Sequence, residues 1–81
     1  MLNIKILGPG CANCKRLEQL TRHEVEKLGL AANIEKVTDY GQIMAYDILS
    51  TPGLVINEQV MVNGRIPTNQ EITAWLMAAQ N

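Results

Sequence analysis

The chain has no phenylalanine, a single histidine, and only Tyr40, Tyr46 and Trp75 as larger aromatics. So few rings cannot build the stacking platform that single-stranded nucleic acid needs. Neither sign of charge is in excess: seven basic and eight acidic side chains leave a net charge of −1. That balance argues against nucleic acid or an anionic membrane as partner. No stretch approaches the roughly 20 apolar residues of a membrane-spanning helix. The opening MLNIKILGPG has no basic leader and no apolar segment with a cleavage site, so a cytoplasmic protein is expected. Repeats, low-complexity stretches and linkers are missing too, and 81 residues suit one domain, 1–81. Cysteine is scarce: the chain carries two, Cys11 and Cys14. A bridge between them closes a tiny loop, and the entropic stabilisation from so short a loop is small. In a reducing compartment such a pair is more often catalytic or metal-binding than structural.

What is present reads as alternating elements. Leu2 to Leu7 is a short Ile- and Leu-rich run stopped by Gly8-Pro9-Gly10, which predicts a buried strand and a turn. From Cys11 the period changes. Cys14, Leu17, Thr21, Val25 and Leu28 recur at helical spacing, and Gly29 is a stop signal. Asn33 to Thr38 alternates weakly and predicts a second strand. Asp39 and Gln42 have capping-box spacing ahead of a helix with Ile43, Met44 and Ile48 on its apolar side. Leu54-Val55-Ile56 and Val60-Met61-Val62 flank Asn57-Glu58-Gln59 and predict a hairpin. Thr68 and Glu71 have capping-box spacing again, before a stripe of Ile72, Trp75, Leu76 and Ala79. The expected order is β-α-β-α-β-β-α. It predicts an α/β fold with a mixed four-stranded sheet, helices on both faces and a parallel first strand pair.

In this frame Cys11 falls where the first strand hands over to the first helix. A helix N-terminus offers unpaired backbone N–H groups and the positive end of the macrodipole. Both favour thiolate, the nucleophile of thiol–disulfide exchange. Lys15 and Arg16 follow one turn on. Cys14 returns to the same side three residues later, within reach of Cys11, and belongs to the inward stripe with Leu17. Cys11 is thus expected to attack and Cys14 to resolve the mixed disulfide. The bland alternative is a pair of packed, inert cysteines.

A CxxC at the head of the first helix, with Thr51-Pro52 before the third strand, resembles the thioredoxin-like superfamily over essentially the whole chain. The strings GPGCANC, STPGLVI and VNGRIPTNQE are similar to the small "redox-active disulfide" proteins of bacteria and archaea, minimal members of that superfamily. The resemblance implies a minimal thioredoxin-like fold, a cis Thr51–Pro52 bond facing Cys11, and thiol–disulfide oxidoreductase activity linked to electron transport and cell redox homeostasis. No cofactor is expected, because the cysteines carry the electrons. The implied partners are a disulfide-containing protein substrate and an upstream reductase, with the chain acting as a monomer. Substrate contacts are expected from Thr51, Pro52, Pro9, Ala12, Asn13 and Tyr40, although Tyr40 reads first as a packing residue. The chain departs from thioredoxins in having no tryptophan before Cys11 and Ala12-Asn13 between the cysteines. Lys5 stands six residues before Cys11, where thioredoxins bury an acid. It is read as a strand lysine reaching solvent, or else as a charge near Cys14. The segment Asn63-Gly64-Arg65-Ile66-Pro67 lacks the glycine pair and acidic residues with which glutaredoxins hold glutathione.

One rival function is a soft-metal module using Cys11 and Cys14 as ligands for Cu(I) or a metalloid. Heavy-metal-associated domains also carry CxxC at a first strand-to-helix turn. Their element order differs, and a methionine typically stands where Pro9 stands here. Another rival is a binding module gated by its redox state. Of the remaining residues, His23 is expected at the surface and Trp75, Met44, Met61 and Met77 in the core. Arg65 is expected in solvent, or else bridging a substrate carboxylate. Asp39 and Glu71 are expected as helix caps.

Overall fold

The computed structural model describes residues 1–80. The elements run β1 (Leu2–Leu7), α1 (Ala12–Leu28), β2 (Ala32–Val37), α2 (Tyr40–Met44), β3 (Gly53–Ile56), β4 (Gln59–Asn63) and α3 (Asn69–Ala79). The strands form one sheet in the order β2-β1-β3-β4. β1 and β2 are parallel, while β3 is antiparallel to both β1 and β4. This is the expected order and the expected mixed sheet. The second strand runs one residue earlier than read, since Thr38 falls outside it.

The period-2 alternation of a strand decides which helix meets which side chain. Leu2, Ile4 and Ile6 of β1 join Leu54 and Ile56 of β3 on one face. There they pack against Leu17 and Val25 of α1 and Ile72 and Leu76 of α3. On the other face Leu7, Val37 and Val55 meet Ile43 and Ile48. Each large aliphatic side chain buried this way contributes roughly 1.5–3 kcal/mol, and the two clusters clamp the sheet between helices.

α2 is shorter than its apolar pattern suggests. It ends at Met44, and Asp47 adopts φ 58°, a left-handed conformation that cannot continue a helix. Ile48 still reaches the core, but from the following loop. The Met44 and Met77 side chains are about half exposed, so they do not fill the core as expected; Met61 is half-buried. Trp75 is half-buried against the α1–α3 cluster. The hairpin turn is tighter than the three residues expected. Only Asn57 and Glu58 connect β3 to β4, both at positive φ (50° and 67°), as a type I′ turn requires. The Asn57 side chain accepts from the Asn3 amide at 3.0 Å, which ties the turn to the start of β1.

Glu24 is buried although no pattern marked it. It lies on the inner face of α1, and its Oε1 accepts from Thr73 Oγ1 of α3 at 2.6 Å. Its Oε2 has no hydrogen-bond partner among the described residues. Such a group costs folding energy, which the packing of the two helices offsets.

Candidate active site

The site is assembled where β1 ends. Gly8, Pro9 and Gly10 carry the chain off the sheet. Gly10 takes φ 104°, open to glycine but rarely to other residues. Cys11 then caps α1 with extended backbone, φ −66° and ψ 167°. Its Sγ accepts the Cys14 amide N–H at 3.1 Å, doing with sulfur what serine or aspartate oxygen does at other helix starts. Cys11 and Cys14 form a disulfide, with their Cα atoms 5.0 Å apart. The two sulfurs are not equivalent in access: Cys11 is exposed and Cys14 is 5% exposed.

Gly8 explains how Cys14 is accommodated. A Cβ at position 8 would collide with Cys14 Sγ, stand 3.1 Å from Cys14 Cβ and stand 3.8 Å from Thr51 Cβ. Absence of a side chain at Gly8 is therefore what lets the β1 exit, the Cys14 sulfur and Thr51 meet. The sequence shows this glycine only as part of a turn. Its role comes from a contact across many residues of sequence.

The Thr51–Pro52 peptide bond is cis, and Pro52 is buried while Thr51 is half-buried. The Pro52 carbonyl accepts the Gly64 amide at 2.9 Å, so this oxygen is already committed inside the fold. Pro9, Ala12 and Asn13 are all exposed around Cys11. Tyr40 is 73% exposed, which corrects its reading as a packing residue. It lines a groove with Ile43, Met44, Ile48 and Leu49 that ends at Thr51. Leu49, 98% exposed, is an apolar member of this groove that the sequence reading did not single out.

Lys5 lies elsewhere. The cavity beside Cys14 is lined by Ile6, so Lys5, one residue earlier, points to the opposite face of the sheet. There its Nζ donates to Glu58 Oε1 at 2.7 Å and to the Tyr46 hydroxyl at 2.8 Å. The Glu58 bond, with help from Tyr46, holds the lysine well above its ordinary pKa. The same bond with Lys5 holds the Glu58 carboxyl below its ordinary value. Lys5 thus does reach solvent, its side chain 26% exposed, but it is paired there with Glu58 and Tyr46 and is not a charge beside Cys14. Tyr46 and Glu58, its two partners, come from the loop after α2 and from the hairpin turn. Arg65 is likewise engaged, in a two-pronged pair with Glu71 at 2.9 and 2.7 Å. His23 is exposed, and Asp39 caps α2 by accepting from the Gln42 amide.

Comparison with known proteins agrees with this geometry. The family model described as a thioredoxin domain matches residues 2–77. A thioredoxin of Methanothermobacter thermautotrophicus is 38% identical over 72 residues, covering 89% of this chain and 94% of that protein. A thioredoxin of Methanocaldococcus jannaschii is 36% identical over 72 residues, covering 89% of this chain and 83% of that protein. Among solved structures, the J-Trx1 fragment of ERdj5 superposes with a TM-score of 0.62 at 20% identity. That match covers 99% of this chain but 44% of the fragment, and it speaks to the fold alone. The chain belongs to the thioredoxin domain family, and its cysteine pair at a strand-to-helix turn is that of a thiol–disulfide oxidoreductase.

Proposed function

We propose that the protein reduces disulfides of protein or small-molecule substrates, with Cys11 as the attacking thiolate and Cys14 as the resolving thiol. The observation that carries this reading is the unequal exposure of two sulfurs at one helix start. Cys11 is open to solvent and caps α1, whereas Cys14 is 5% exposed behind it. In the reduced protein the Cys14 N–H and the helix dipole would both stabilise negative charge on Cys11 Sγ. The Cys11 thiolate attacks one sulfur of the substrate disulfide, breaking that S–S bond and forming a Cys11–substrate mixed disulfide. The other sulfur is released as a thiolate that takes up a proton. Cys14 then displaces the bound substrate sulfur, leaving Cys11–Cys14 oxidised and the substrate reduced, and an upstream reductase restores the dithiol.

Docking is assigned to the surface around Cys11. An extended substrate segment would pair with the main chain of Thr51. Pro52 would shape that edge rather than bond to it, since its carbonyl is already taken by Gly64. Pro9, Ala12 and Asn13 would contact the segment beside the scissile sulfur, and Tyr40 would flank the groove leading to Thr51. The proposal includes a cytoplasmic, monomeric, single-domain protein that needs no cofactor and serves redox homeostasis. No helix among the described residues is long and apolar enough to cross a membrane.

The test is insulin-disulfide reduction by the wild type and by Cys11→Ser, with the reduction potential of the pair and the Cys11 pKa measured alongside. Turnover by the wild type and none by the variant is the expected result. A dithiol that cannot be cycled, but holds Cu(I) tightly without reducing disulfides, would replace this reading with the soft-metal module.

A further inference from the structure

The buried position of Cys14 poses a chemical question. To displace the substrate, Cys14 must lose its thiol proton, yet little of it reaches bulk water. Lys5 cannot serve, since it lies on the opposite face of the sheet and is held by Glu58 and Tyr46. Cys14 instead borders a cavity of about 70 Å³ shared with Ile6, Gly8, Glu18 and Lys36. Among the residues lining this cavity Glu18 is the one carboxylate, and Lys15 and Lys36 bring ammonium groups.

Glu18 is well placed for this. It follows Cys14 by one turn of α1, and residues four apart share a helix face. Its side chain is 18% exposed. Its Oε2 accepts from Arg22 Nε of α1 at 3.0 Å, and its Oε1 lies 3.9 Å from Lys36 Nζ of β2, an ion pair without a hydrogen bond. Glu18 thus lines the same cavity as Cys14, with one hydrogen bond and one longer ion pair on its carboxylate.

We propose that Glu18 is the proton acceptor for Cys14 in the second half of the reaction; this rests on Cys14 being the resolving thiol. The Cys14 thiol passes its proton through the cavity to the Glu18 carboxylate. The Cys14 thiolate attacks Cys11 Sγ, forming the Cys11–Cys14 bond and breaking the bond from Cys11 to the substrate sulfur. The substrate leaves as a thiolate with the electron pair and takes the proton from the Glu18 carboxylic acid. Glu18 returns to its starting state, and the two electrons have moved from the dithiol to the substrate. Arg22 orients the carboxylate through its hydrogen bond to Oε2.

The experiment uses 5,5′-dithiobis(2-nitrobenzoate) as the disulfide, one equivalent per reduced protein, followed by stopped flow. The first nitrothiobenzoate released reports attack by Cys11, and the second reports resolution by Cys14. In Glu18→Gln the first phase should keep its wild-type rate, which also shows that the variant is folded. The second phase should slow at least about tenfold and lose the part of its pH profile that follows the carboxylate. Glu18→Asp should restore part of the rate. A second phase unchanged in rate and pH profile in Glu18→Gln overturns the proposal. So does an equal slowing of both phases, which would mark a structural role. In Cys14→Ser the second release should disappear. If it persists, the assignment of Cys14 as resolving thiol fails, a result separable from any behaviour of Glu18.

Discussion

Helices α1 and α3 start with the same spacing and use it for opposite ends. In α3 the N-cap Thr68 accepts from the Glu71 amide at 3.1 Å, and the Glu71 carboxylate accepts from the Thr68 amide at 2.9 Å. In α1 the N-cap is Cys11 and the third helical residue is Cys14. The Cys14 amide donates to Cys11 Sγ, but the return link is a covalent bond between the side chains. The α3 start is locked further by Arg65 on Glu71. The α1 start has no acidic residue in its first turn. Nothing anionic there competes with a thiolate for the helix N-terminus. One arrangement stabilises a helix permanently; the other can be opened and closed by two electrons.

The comparison can be broken from either side. The largest effect is expected from Cys11→Ser. Serine is among the best N-caps, so reduced Cys11→Ser should melt close to the reduced wild type while disulfide reduction falls to background. Calorimetry and an insulin-turbidity assay on the same sample check both halves. Next is Gly8→Val, which places a branched side chain on Cys14 and Thr51. Overpacking of this kind costs about 1–3 kcal/mol. Urea titration should show that loss, together with slower resolution by Cys14. Thr68→Ala should cost about 1 kcal/mol through the lost cap, with oxidoreductase activity unchanged.

The smallest effect is one of pH. Arg65, and then the Thr68 amide, hold the Glu71 carboxyl down at about 2 from an ordinary 4.5. A lowered folded-state value means the stabilisation is complete above about 4.5 and disappears as pH falls toward 2. Glu71→Gln should therefore differ from the wild type in melting temperature at pH 6 and converge with it at low pH. A constant gap across that window would contradict the assignment.

Much of this architecture is legible in the sequence because its signals are local. Gly8-Pro9-Gly10, the Thr68–Glu71 capping box, the Asp39 cap (whose return bond from Gln42 does not form) and the apolar runs mark where elements begin and end. Two cysteines at N-cap and third position already imply an exposed and a sheltered sulfur, as the structure has them. What escaped depends on contacts distant in sequence. Lys5 meets Glu58 and Tyr46 only once the hairpin turn and the loop after α2 fold over β1. Glu24 is buried because α3 covers it, while its neighbours on the helix surface stay polar. Tyr40 is the first residue of α2, and its ring stays 73% exposed rather than packed. The cavity that links Cys14 to Glu18 borrows Ile6 and Lys36 from two strands, a neighbourhood that no periodicity displays.

The central claim is that Cys11 attacks and Cys14 resolves. Mass spectrometry of Cys14→Ser and Cys11→Ser after exposure to a disulfide-bonded protein tests it most directly. Cys14→Ser should accumulate a stable mixed disulfide through Cys11, and Cys11→Ser should remain unmodified. A mixed disulfide that forms on Cys14 in Cys11→Ser, with none on Cys11 in Cys14→Ser, would reverse the roles and contradict the account.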